Sequence, residues 1–386
     1  MIRVLSIFGT RPEAVKMAPV VQELAACADI EALVCVTAQH RQMLDQVLDL
    51  FGIQPDFDLN LMQPDQSLAA LTASIFNRLD PILKEVKPDW VLVQGDTTTV
   101  MSAALLAYYN RIRVGHVEAG LRTGDKWQPF PEEINRRVAG VVTDLHFAPT
   151  ELSRQNLLGE GVPGWRIVMT GNTVIDALHQ IIQRPAPLEV QQLLKRLDIR
   201  PGGRQLVLIT AHRRENFGRP LDDICLGLRR LAEAYPQRLQ LVYPVHLNPN
   251  VQEPVYRLLG NVANITLLPP LDYLPLVHLL RRATLVLTDS GGIQEEATGL
   301  GIPTLVLRQT TERPEGVSAG VLKLVGTDPD LILAESRHLL EDDQAYQAMA
   351  HAENPFGDGH AAEKIIRALL DYQEPSSYQS GGGRNP

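Results

Sequence analysis

The segment Thr288-Asp289-Ser290-Gly291-Gly292-Ile293-Gln294-Glu295-Glu296 shows the local pattern on which the fold prediction rests. The apolar run that precedes it, Thr284-Leu285-Val286-Leu287, predicts a strand buried on both faces, and the residues from Gln294 onward predict a helix. Glycine permits close approach of a ligand to the backbone, and a helix N-terminus presents unpaired N–H groups with partial positive charge. This pattern is typical of a phosphate or diphosphate site, although an ordinary glycine turn explains the same residues. Glu296, one turn into the helix, is placed to reach a sugar diol beside the phosphates.

The composition is that of a globular protein with a large core. Of the 386 residues, 45% are hydrophobic and 21% are charged, and this length suggests two or three domains. The formal net charge of -9 argues against nucleic acid as a partner. The 3 cysteines have no CxxC spacing, which indicates free thiols in a reducing compartment. No apolar stretch is long enough to cross a membrane, and no signal peptide precedes the first predicted strand, so we expect a cytoplasmic protein.

Short β-rich runs alternate with helical patterns along the whole chain, which predicts an α/β fold with parallel sheets covered by helices. Two successive series of this kind imply two Rossmann-like, doubly wound domains, with ligands bound beyond the carboxyl ends of the strands and between the domains. We expect the first domain to span residues 1–171 plus 358–373, the second to span 172–357, and residues 374–386 to be a disordered tail. The predicted strands are Val4–Phe8, Leu33–Thr37, Trp90–Gln94, Val114–Glu118, Leu145–Ala148, Ile167–Thr170, Leu206–Thr210, Leu239–Tyr243, Ile265–Leu268, Thr284–Thr288 and Thr304–Leu307.

Two cations follow the first predicted strand. Thr10 and Glu13 have capping-box spacing, and this explains them structurally. Arg11 and Lys16 have no such explanation, and both lie near a helix N-terminus at the carboxyl end of a strand. They are candidates for binding an anion, and a solvated surface is the structural alternative.

Carboxylates occupy strand ends and helix starts in the same half of the chain. Asp96 follows a predicted strand and Glu118 ends another, while Glu132 and Glu133 open a helix. The structural alternatives are that Asp96 caps the next helix and that one of the two helix-start acids compensates the helix dipole. Because the carboxyl ends of parallel strands meet at one edge of a sheet, we expect these acids to share one rim.

In the second half, His212 follows a strand beside Arg213, and His246 holds a similar position one strand later. A histidine among arginines suits an anionic ligand, and its neutral form can transfer a proton. The residues 159–164 match G-x-G-x-x-G, but they follow a helix and precede a strand, the reverse of the dinucleotide fingerprint. We interpret them as a helix end and a turn. The sequence contains no Walker motif, HExxH or Cys/His metal cluster, so we expect neither cofactor nor metal.

Taken together, these motifs resemble those of the bacterial non-hydrolysing UDP-N-acetylglucosamine 2-epimerases, and the resemblance covers nearly the whole chain except the tail. The matching segments are GTRPEAVKMAP from Gly9, TAQHRQML from Thr37, QGDTTT from Gln94, GHVEAGLRT from Gly115, FPEEINRR from Phe130, GNTVIDAL from Gly171, TAHRREN from Thr210, PVHLNP from Pro244, TDSGGIQEEA from Thr288 and TTERPE from Thr310.

The resemblance implies a fold similar to glycosyltransferase B, with UDP held between the two domains. It implies interconversion of UDP-N-acetylglucosamine and UDP-N-acetylmannosamine, which supplies sugars for surface polysaccharides, and it implies a homodimer. Asp96, Glu118 and Glu132 would be the acid/base carboxylates, with His212 as the catalytic partner of the diphosphate. The implied substrate-binding residues are Arg11, Lys16, Asp96, Glu118, His212, Ser290, Gly291, Gly292, Glu296 and Arg313.

Two further features concern the binding pockets. Leu271 and Leu276 stand where the family pattern has glutamine and phenylalanine near the uracil, so that wall of the pocket differs. The family often has a second, activating UDP-N-acetylglucosamine site. Its implied residues here are Gln39, Gln42, Arg213 and His246, while Asp65 stands where regulated members carry arginine.

Three other functions are compatible with parts of this pattern. A hydrolysing relative would release UDP and free N-acetylmannosamine. A glycosyltransferase of the same fold would bind a nucleotide sugar in the same cleft. A UDP-sugar sensor would bind the ligand without turnover, although Asp96, Glu118 and Glu132 argue for proton transfer.

Overall fold

The computed structural model describes residues 1–38, 41–61 and 66–373, apart from the side chains of residues 41 and 42. These residues form an α/β fold with two separate parallel sheets. The first sheet has the strand order β3-β2-β1-β4-β5-β6-β7, and the second has the order β10-β9-β8-β11-β12-β13. In each sheet the strands are added on both sides of the first strand of the series, β1 or β8. This is the doubly wound arrangement predicted from the alternating pattern.

The strands of the first sheet are β1 (Ile2–Phe8), β2 (Ile30–Val36), β3 (Phe57–Asp58), β4 (Trp90–Gln94), β5 (Arg113–Val117), β6 (Leu145–Ala148) and β7 (Ile167–Met169). Those of the second sheet are β8 (Gln205–Thr210), β9 (Leu239–Pro244), β10 (Ile265–Leu268), β11 (Ala283–Thr288), β12 (Thr304–Val306) and β13 (Leu322–Leu324). The eleven predicted strands are confirmed to within three residues at each end. The prediction omitted β3 and β13, because two or three residues at a sheet edge are too short to show a periodic pattern.

The helices are α1 (Arg11–Ala26), α2 (Arg41–Phe51), α3 (Leu68–Val86), α4 (Thr98–Tyr109), α5 (Glu132–Val142), α6 (Glu151–Gly159), α7 (Thr173–Ile182), α8 (Leu188–Arg196), α9 (Arg219–Ala234), α10 (Pro249–Leu259), α11 (Tyr273–Leu280), α12 (Gly291–Gly299), α13 (Pro314–Ser318), α14 (Pro329–Glu341), α15 (Asp343–Ala350) and α16 (Ala361–Leu370). As predicted, the G-x-G-x-x-G segment ends α6 and forms a turn. No helix in the described residues is long and apolar enough to cross a membrane.

Both faces of each sheet are buried. Along β1, Val4 and Phe8 belong to one apolar core while Leu5 and Ile7 belong to another, because successive side chains of a strand point to opposite faces. Helices therefore cover both faces, which leaves the ends of the strands as the expected place for a ligand. The helix α16 returns to the first sheet and packs on α1 and α7. The domain boundary proposed at residues 171/172 stays a prediction, and the tail 374–386 lies outside the described residues.

Hydrogen bonds connect the start of α1, which follows β1, to the start of α4, which follows β4. The predicted capping box is present, with Thr10 as the N-cap, and the Glu13 carboxylate accepts from the backbone N–H of Gly9 and Thr10 at 2.9 and 2.7 Å. The other oxygen of Glu13 accepts from the Thr97 hydroxyl at 2.6 Å. Thr97 is itself the N-cap of α4, so the structural alternative that Asp96 caps this helix is wrong. The Asp96 side chain is left available for another role.

Candidate active site

A cavity of about 190 Å³ lies between the start of α1 in the first half of the chain and the start of α12 in the second. It is located at the carboxyl ends of β1 and β11, where a doubly wound sheet binds ligands. The structure thus brings together several predicted ligand-binding residues that are far apart in the sequence. Its lining residues include Arg11, Lys16, Ser290, Gly292 and Glu296, together with Tyr273 and Leu276.

The predicted diphosphate turn has the geometry of an anion site. Ser290 is the N-cap of α12, but its side chain makes no capping hydrogen bond within the described structure. A Cβ added to Gly292 would meet nothing within 4 Å, so this backbone is open to a ligand. A Cβ added to Gly291 would lie 3.2 Å from Cζ of Arg313. The Arg313 guanidinium therefore lies against the N-terminus of α12, and two sources of positive potential act at one place.

Asp289 holds the opposing loop in position. Its buried carboxylate accepts from the backbone N–H of His212 at 2.8 Å and of Arg213 at 2.7 Å, and from the Asn216 side chain at 3.0 Å. Sequence reasoning assigned Asp289 no role, although an acidic residue directly after a buried strand was a usable signal. This carboxylate connects the ends of β8 and β11 and fixes where His212 lies.

His212 has the electrostatic character of a neutral hydrogen-bonding group. Its ring stacks on that of His246, with centroids 5.3 Å apart and an interplanar angle of 12°. Burial lowers the pKa of His212, and His246 and Arg213 lower it further, while Asp289 opposes the shift. Because this pKa lies below its ordinary value, the imidazole is mostly uncharged at neutral pH, and a ring N–H can donate to an anion.

Glu118 is held as an ionised carboxylate. It accepts from the Lys16 ammonium and the Gln94 side chain, and from the Asn172 amide at 2.9 Å. Burial acts to raise the pKa of Glu118, but Lys16 and Arg313 outweigh burial and keep that pKa below its ordinary value. Glu118 also adopts a left-handed backbone with φ of 63°, which is rare for a residue with a side chain and marks a constrained site.

The pKa of Asp96 is shifted in the opposite direction from that of Glu118. Burial raises its pKa, and Glu118 adds to the increase, although the guanidinium of Arg136 lies 2.6 Å from its carboxylate and counteracts both. The Asn135 side chain donates to the backbone carbonyl of Asp96 at 2.9 Å and fixes the turn. Both partners lie in the segment FPEEINRR, but sequence reasoning gave them no function. An acid with a raised pKa beside a ligand cleft is a candidate for proton transfer.

The two acids at the start of α5 have different surroundings. Glu133 is fully buried and accepts from the Thr123 backbone and from the Arg137 side chain, each at 3.1 Å, so it has a structural role. One oxygen of Glu132 is buried and has no hydrogen-bond partner among the described residues. Burial raises the pKa of Glu132, and the charge on Asp96 raises it further. Glu132 and Asp96 are therefore neighbours with the properties of an acid/base pair.

Arg313 is the cation at the centre of a buried ionic network. Its guanidinium lies 2.8 Å from Glu295 and 3.1 Å from Glu312, and Lys16 lies 3.7 Å from Glu295. Burial acts to lower the pKa of Arg313, but the carboxylates of Glu295, Glu118 and Glu312 outweigh burial and raise it. The network links α1 to α12, so it holds the two sides of the cleft together.

The remaining predicted residues have mixed outcomes. Leu276 lines the cavity and Leu271 does not, but the backbone carbonyl of Leu271 accepts from Arg11 at 3.3 Å. Of the four residues implied for a second site, Arg213 and His246 lie on the His212 side of the cleft. Gln39 and Asp65 lie outside the described residues, as does the side chain of Gln42. Within the described residues no cluster of three or more His, Cys, Asp or Glu is arranged to hold a metal ion.

Glu296 makes the stability of the protein depend on pH. Burial raises its pKa from 4.5 to about 7, with the Tyr273 hydroxyl acting in the opposite direction. Between these values the unfolded chain is ionised at this position and the folded chain is not, so stability falls as pH rises through about 7. We expect Glu296→Gln to remove this loss. The free energy of unfolding of the variant relative to the parent should increase by roughly 2–3 kcal/mol from pH 4.5 to pH 8.

Urea unfolding at a series of pH values measures this difference directly. Glu233→Gln, which changes an exposed glutamate on α9, is the matched control and should give a flat difference curve. A flat curve for Glu296→Gln as well would show that Glu296 titrates normally in the folded state.

Comparisons with known proteins show the family of this chain. A family model described as UDP-N-acetylglucosamine 2-epimerase matches residues 22–370. The UDP-N-acetylglucosamine 2-epimerase of Salmonella typhimurium is 55% identical over 373 residues, which are 96% of this chain and 99% of that protein. The crystal structure of the Neisseria meningitidis UDP-GlcNAc 2-epimerase bound to UDP-GlcNAc has a TM-score of 0.88 and 49% identity, with 96% of this chain and 100% of that chain covered.

A more distant structure matches over the same extent. The Methanocaldococcus jannaschii UDP-GlcNAc 2-epimerase in complex with UDP-GlcNAc and UDP has a TM-score of 0.81 and 32% identity, covering 95% of this chain and 99% of that chain. These relatives match nearly the whole chain. This chain therefore belongs to the UDP-N-acetylglucosamine 2-epimerase family.

Proposed function

We propose that this protein catalyses the reversible epimerisation of UDP-N-acetylglucosamine to UDP-N-acetylmannosamine at carbon 2, without hydrolysing the nucleotide sugar. The observation that carries the proposal is the pairing of two acids of raised pKa, Asp96 and Glu132, with a cationic cradle for a diphosphate across the same cleft. The relatives that bind UDP-GlcNAc support the substrate. The proposal includes a cytoplasmic homodimer, as the family resemblance implies, and no cofactor.

Departure of UDP is the first step that we propose. The hydrogen at carbon 2 has no adjacent carbonyl, so its direct removal would leave an unstabilised carbanion. If the bond between carbon 1 and the diphosphate oxygen breaks first, its electron pair leaves with UDP. Arg11, His212 and Arg313, with the backbone N–H groups from Ser290 to Gly292, would stabilise the charge on the diphosphate. An oriented donor that acts where charge develops contributes about 3 kcal/mol.

Proton transfer at carbon 2 follows. The oxocarbenium ion left on the sugar acidifies the carbon 2 hydrogen, and a carboxylate removes it to form a glycal with a double bond between carbons 1 and 2. Return of a proton to the opposite face and re-addition of UDP complete the epimerisation. A single base does not reach both faces, so two acids are needed. We assign these roles to Asp96 and Glu132, because their pKa values are raised.

Glu118 has a different role in this scheme. Since it is hydrogen-bonded on both oxygens and held ionised, it is a weak proton acceptor. A fixed negative charge on the cleft wall instead favours the cationic sugar in the transition state. We further propose that Arg213 and His246, with Gln39 and Gln42, form the activating second site.

Solvent deuterium tests the elimination scheme. In heavy water, UDP-N-acetylglucosamine should give product with deuterium at carbon 2, because the proton removed exchanges with solvent before the glycal is reprotonated. Proton NMR of the sugar measures the loss of the signal from the hydrogen at carbon 2. It also measures the change in the splitting of the signal from the hydrogen at carbon 1. Epimerisation with the original hydrogen retained would rule out the glycal.

The same spectra distinguish the alternative functions. A hydrolysing enzyme would accumulate free N-acetylmannosamine and UDP, whereas the proposed enzyme reaches an equilibrium between two UDP-sugars. A glycosyltransferase or a sensor would leave the carbon 2 hydrogen unexchanged. Heat-denatured protein provides the control for uncatalysed exchange.

A further inference from the structure

The second sheet carries a cluster of arginines at the end opposite the catalytic cleft. Arg204, Arg238 and Arg282 each stand one residue before a strand, namely β8, β9 and β11. These strands are neighbours in the sheet, in the order β9-β8-β11, and Gln205 pairs with Leu239 while Leu206 pairs with Ala283. The three arginines therefore form a row along the amino-terminal edge of the sheet.

Two further arginines complete the cluster, and together they line one cavity. Arg200 comes from the turn between α8 and β8, and Arg281 precedes Arg282 in the turn between α11 and β11. The cavity has a volume of about 540 Å³ and is also lined by Ile199, Pro201 and Leu206. That volume lies within the range of about 300–1,000 Å³ that is typical of small-molecule sites.

The positive charge of this cavity is mostly uncompensated. Arg200 pairs with Asp198 at 2.6 Å, and no other ion pair to these arginines occurs within the described residues. Their other hydrogen bonds go to neutral acceptors: Arg204 donates to the Gln240 side chain at 2.9 Å, and Arg281 donates to the Ile182 carbonyl at 3.1 Å. Neutral acceptors orient a guanidinium without cancelling its charge. Placing these arginines around one cavity costs Coulomb repulsion, although the chain as a whole has a net charge of -9.

We propose that this arginine cavity is a binding site for an oligophosphate, separate from the catalytic cleft. Guanidinium groups are planar, remain charged and bind phosphate oxygens in a bidentate manner. Several arginines around one cavity fit a ligand with several phosphate groups better than a single ion. The six residues of β8 separate this edge from the His212 loop, a distance of roughly 20 Å. The arginine cavity is therefore a different site from the catalytic cleft.

Isothermal titration with inorganic tripolyphosphate at constant ionic strength tests the site. We expect Arg281→Gln/Arg282→Gln to weaken binding at least about tenfold, because two charged hydrogen-bond donors are lost. Arg229→Gln/Arg257→Gln removes the same charge from exposed positions on α9 and α10 and should bind as the parent does. Arg11→Gln changes a residue of the catalytic cleft, and this variant should bind tripolyphosphate as the parent does. A loss of binding would show that the measured binding belongs to the catalytic cleft.

Several outcomes would overturn the proposal: no binding by the parent, equal binding by Arg281→Gln/Arg282→Gln, or loss of binding in Arg11→Gln alone. If the double variant does not fold, Arg282→Gln takes its place, because the Arg282 side chain has no hydrogen bond or ion pair among the described contacts. We then expect a severalfold weakening of tripolyphosphate binding. A parallel titration with adenosine triphosphate identifies the source of the phosphates. Tighter binding than tripolyphosphate indicates a nucleotide, and equal binding indicates the phosphate chain alone. Epimerisation is assayed separately, so failure of either proposal leaves the other testable.

Discussion

Asp96→Asn should lower the rate of epimerisation by about 10²–10⁴-fold, since asparagine cannot exchange a proton with carbon 2. Asparagine keeps a side-chain oxygen that can accept a hydrogen bond from Arg136, which lies 2.6 Å from the carboxylate of Asp96. The Asn135 side chain donates to the backbone carbonyl of Asp96, so the substitution does not remove that hydrogen bond. Binding of UDP should stay close to that of the parent, because the diphosphate cradle lies on α1 and α12. Turnover by NMR and UDP affinity by calorimetry measure the two effects separately.

A comparison with Glu132→Gln makes the test sharper. If each acid serves one face of carbon 2, each variant should still exchange the carbon 2 hydrogen of one epimer with heavy water and lose exchange of the other. The two variants should have opposite preferences between UDP-N-acetylglucosamine and UDP-N-acetylmannosamine. Glu151→Gln on the surface of α6 is the matched control for loss of one negative charge. Near-parental turnover of Asp96→Asn would remove Asp96 from the mechanism.

Arg313→Gln should destabilise the protein by about 3–5 kcal/mol, the usual cost of breaking a buried ion pair from one side. The exposed fractions of the Arg313 and Glu295 side chains are 8% and 2%, so the orphaned carboxylate cannot be hydrated. Lys16 lies 3.7 Å from Glu295 but is already paired with Glu118, and it compensates only in part. Turnover should fall as well, because the guanidinium lies against the diphosphate turn.

The double variant Arg313→Gln/Glu295→Gln separates the two effects. It removes both members of the pair, so most of the lost stability should return while turnover stays low. Thermal and urea unfolding measure stability, and the NMR assay measures turnover. Recovery of activity in the double variant would mean that Arg313 acts only through folding. An equal loss of stability in the single and double variants would contradict the buried-pair interpretation.

The local architecture of this protein was predictable from its sequence. The strand-turn-helix at Thr288–Glu296 is specified by residues close together in the chain, and so are the alternating strands and the capping box at Thr10 and Glu13. Such features depend on backbone hydrogen bonds and side-chain spacing within a few residues. The same reasoning predicts a phosphate-binding turn and several acids at strand ends. It could not identify Arg136 or Asp289 as partners, since each acts on residues about 40 or more positions away.

The tertiary structure alone decided the surroundings of each of these groups. Whether Asp96 is a cap or an acid depended on Thr97, which takes the cap position and is held there by Glu13 from another helix. Glu118 and Asp96 have similar sequence surroundings, but their pKa values shift in opposite directions because Lys16 neutralises one and burial dominates the other. A pKa is set by burial and by charges within a few ångströms in space. The sequence by itself determined the chemical groups and the elements that carry them, and folding determined the electrostatic state of each.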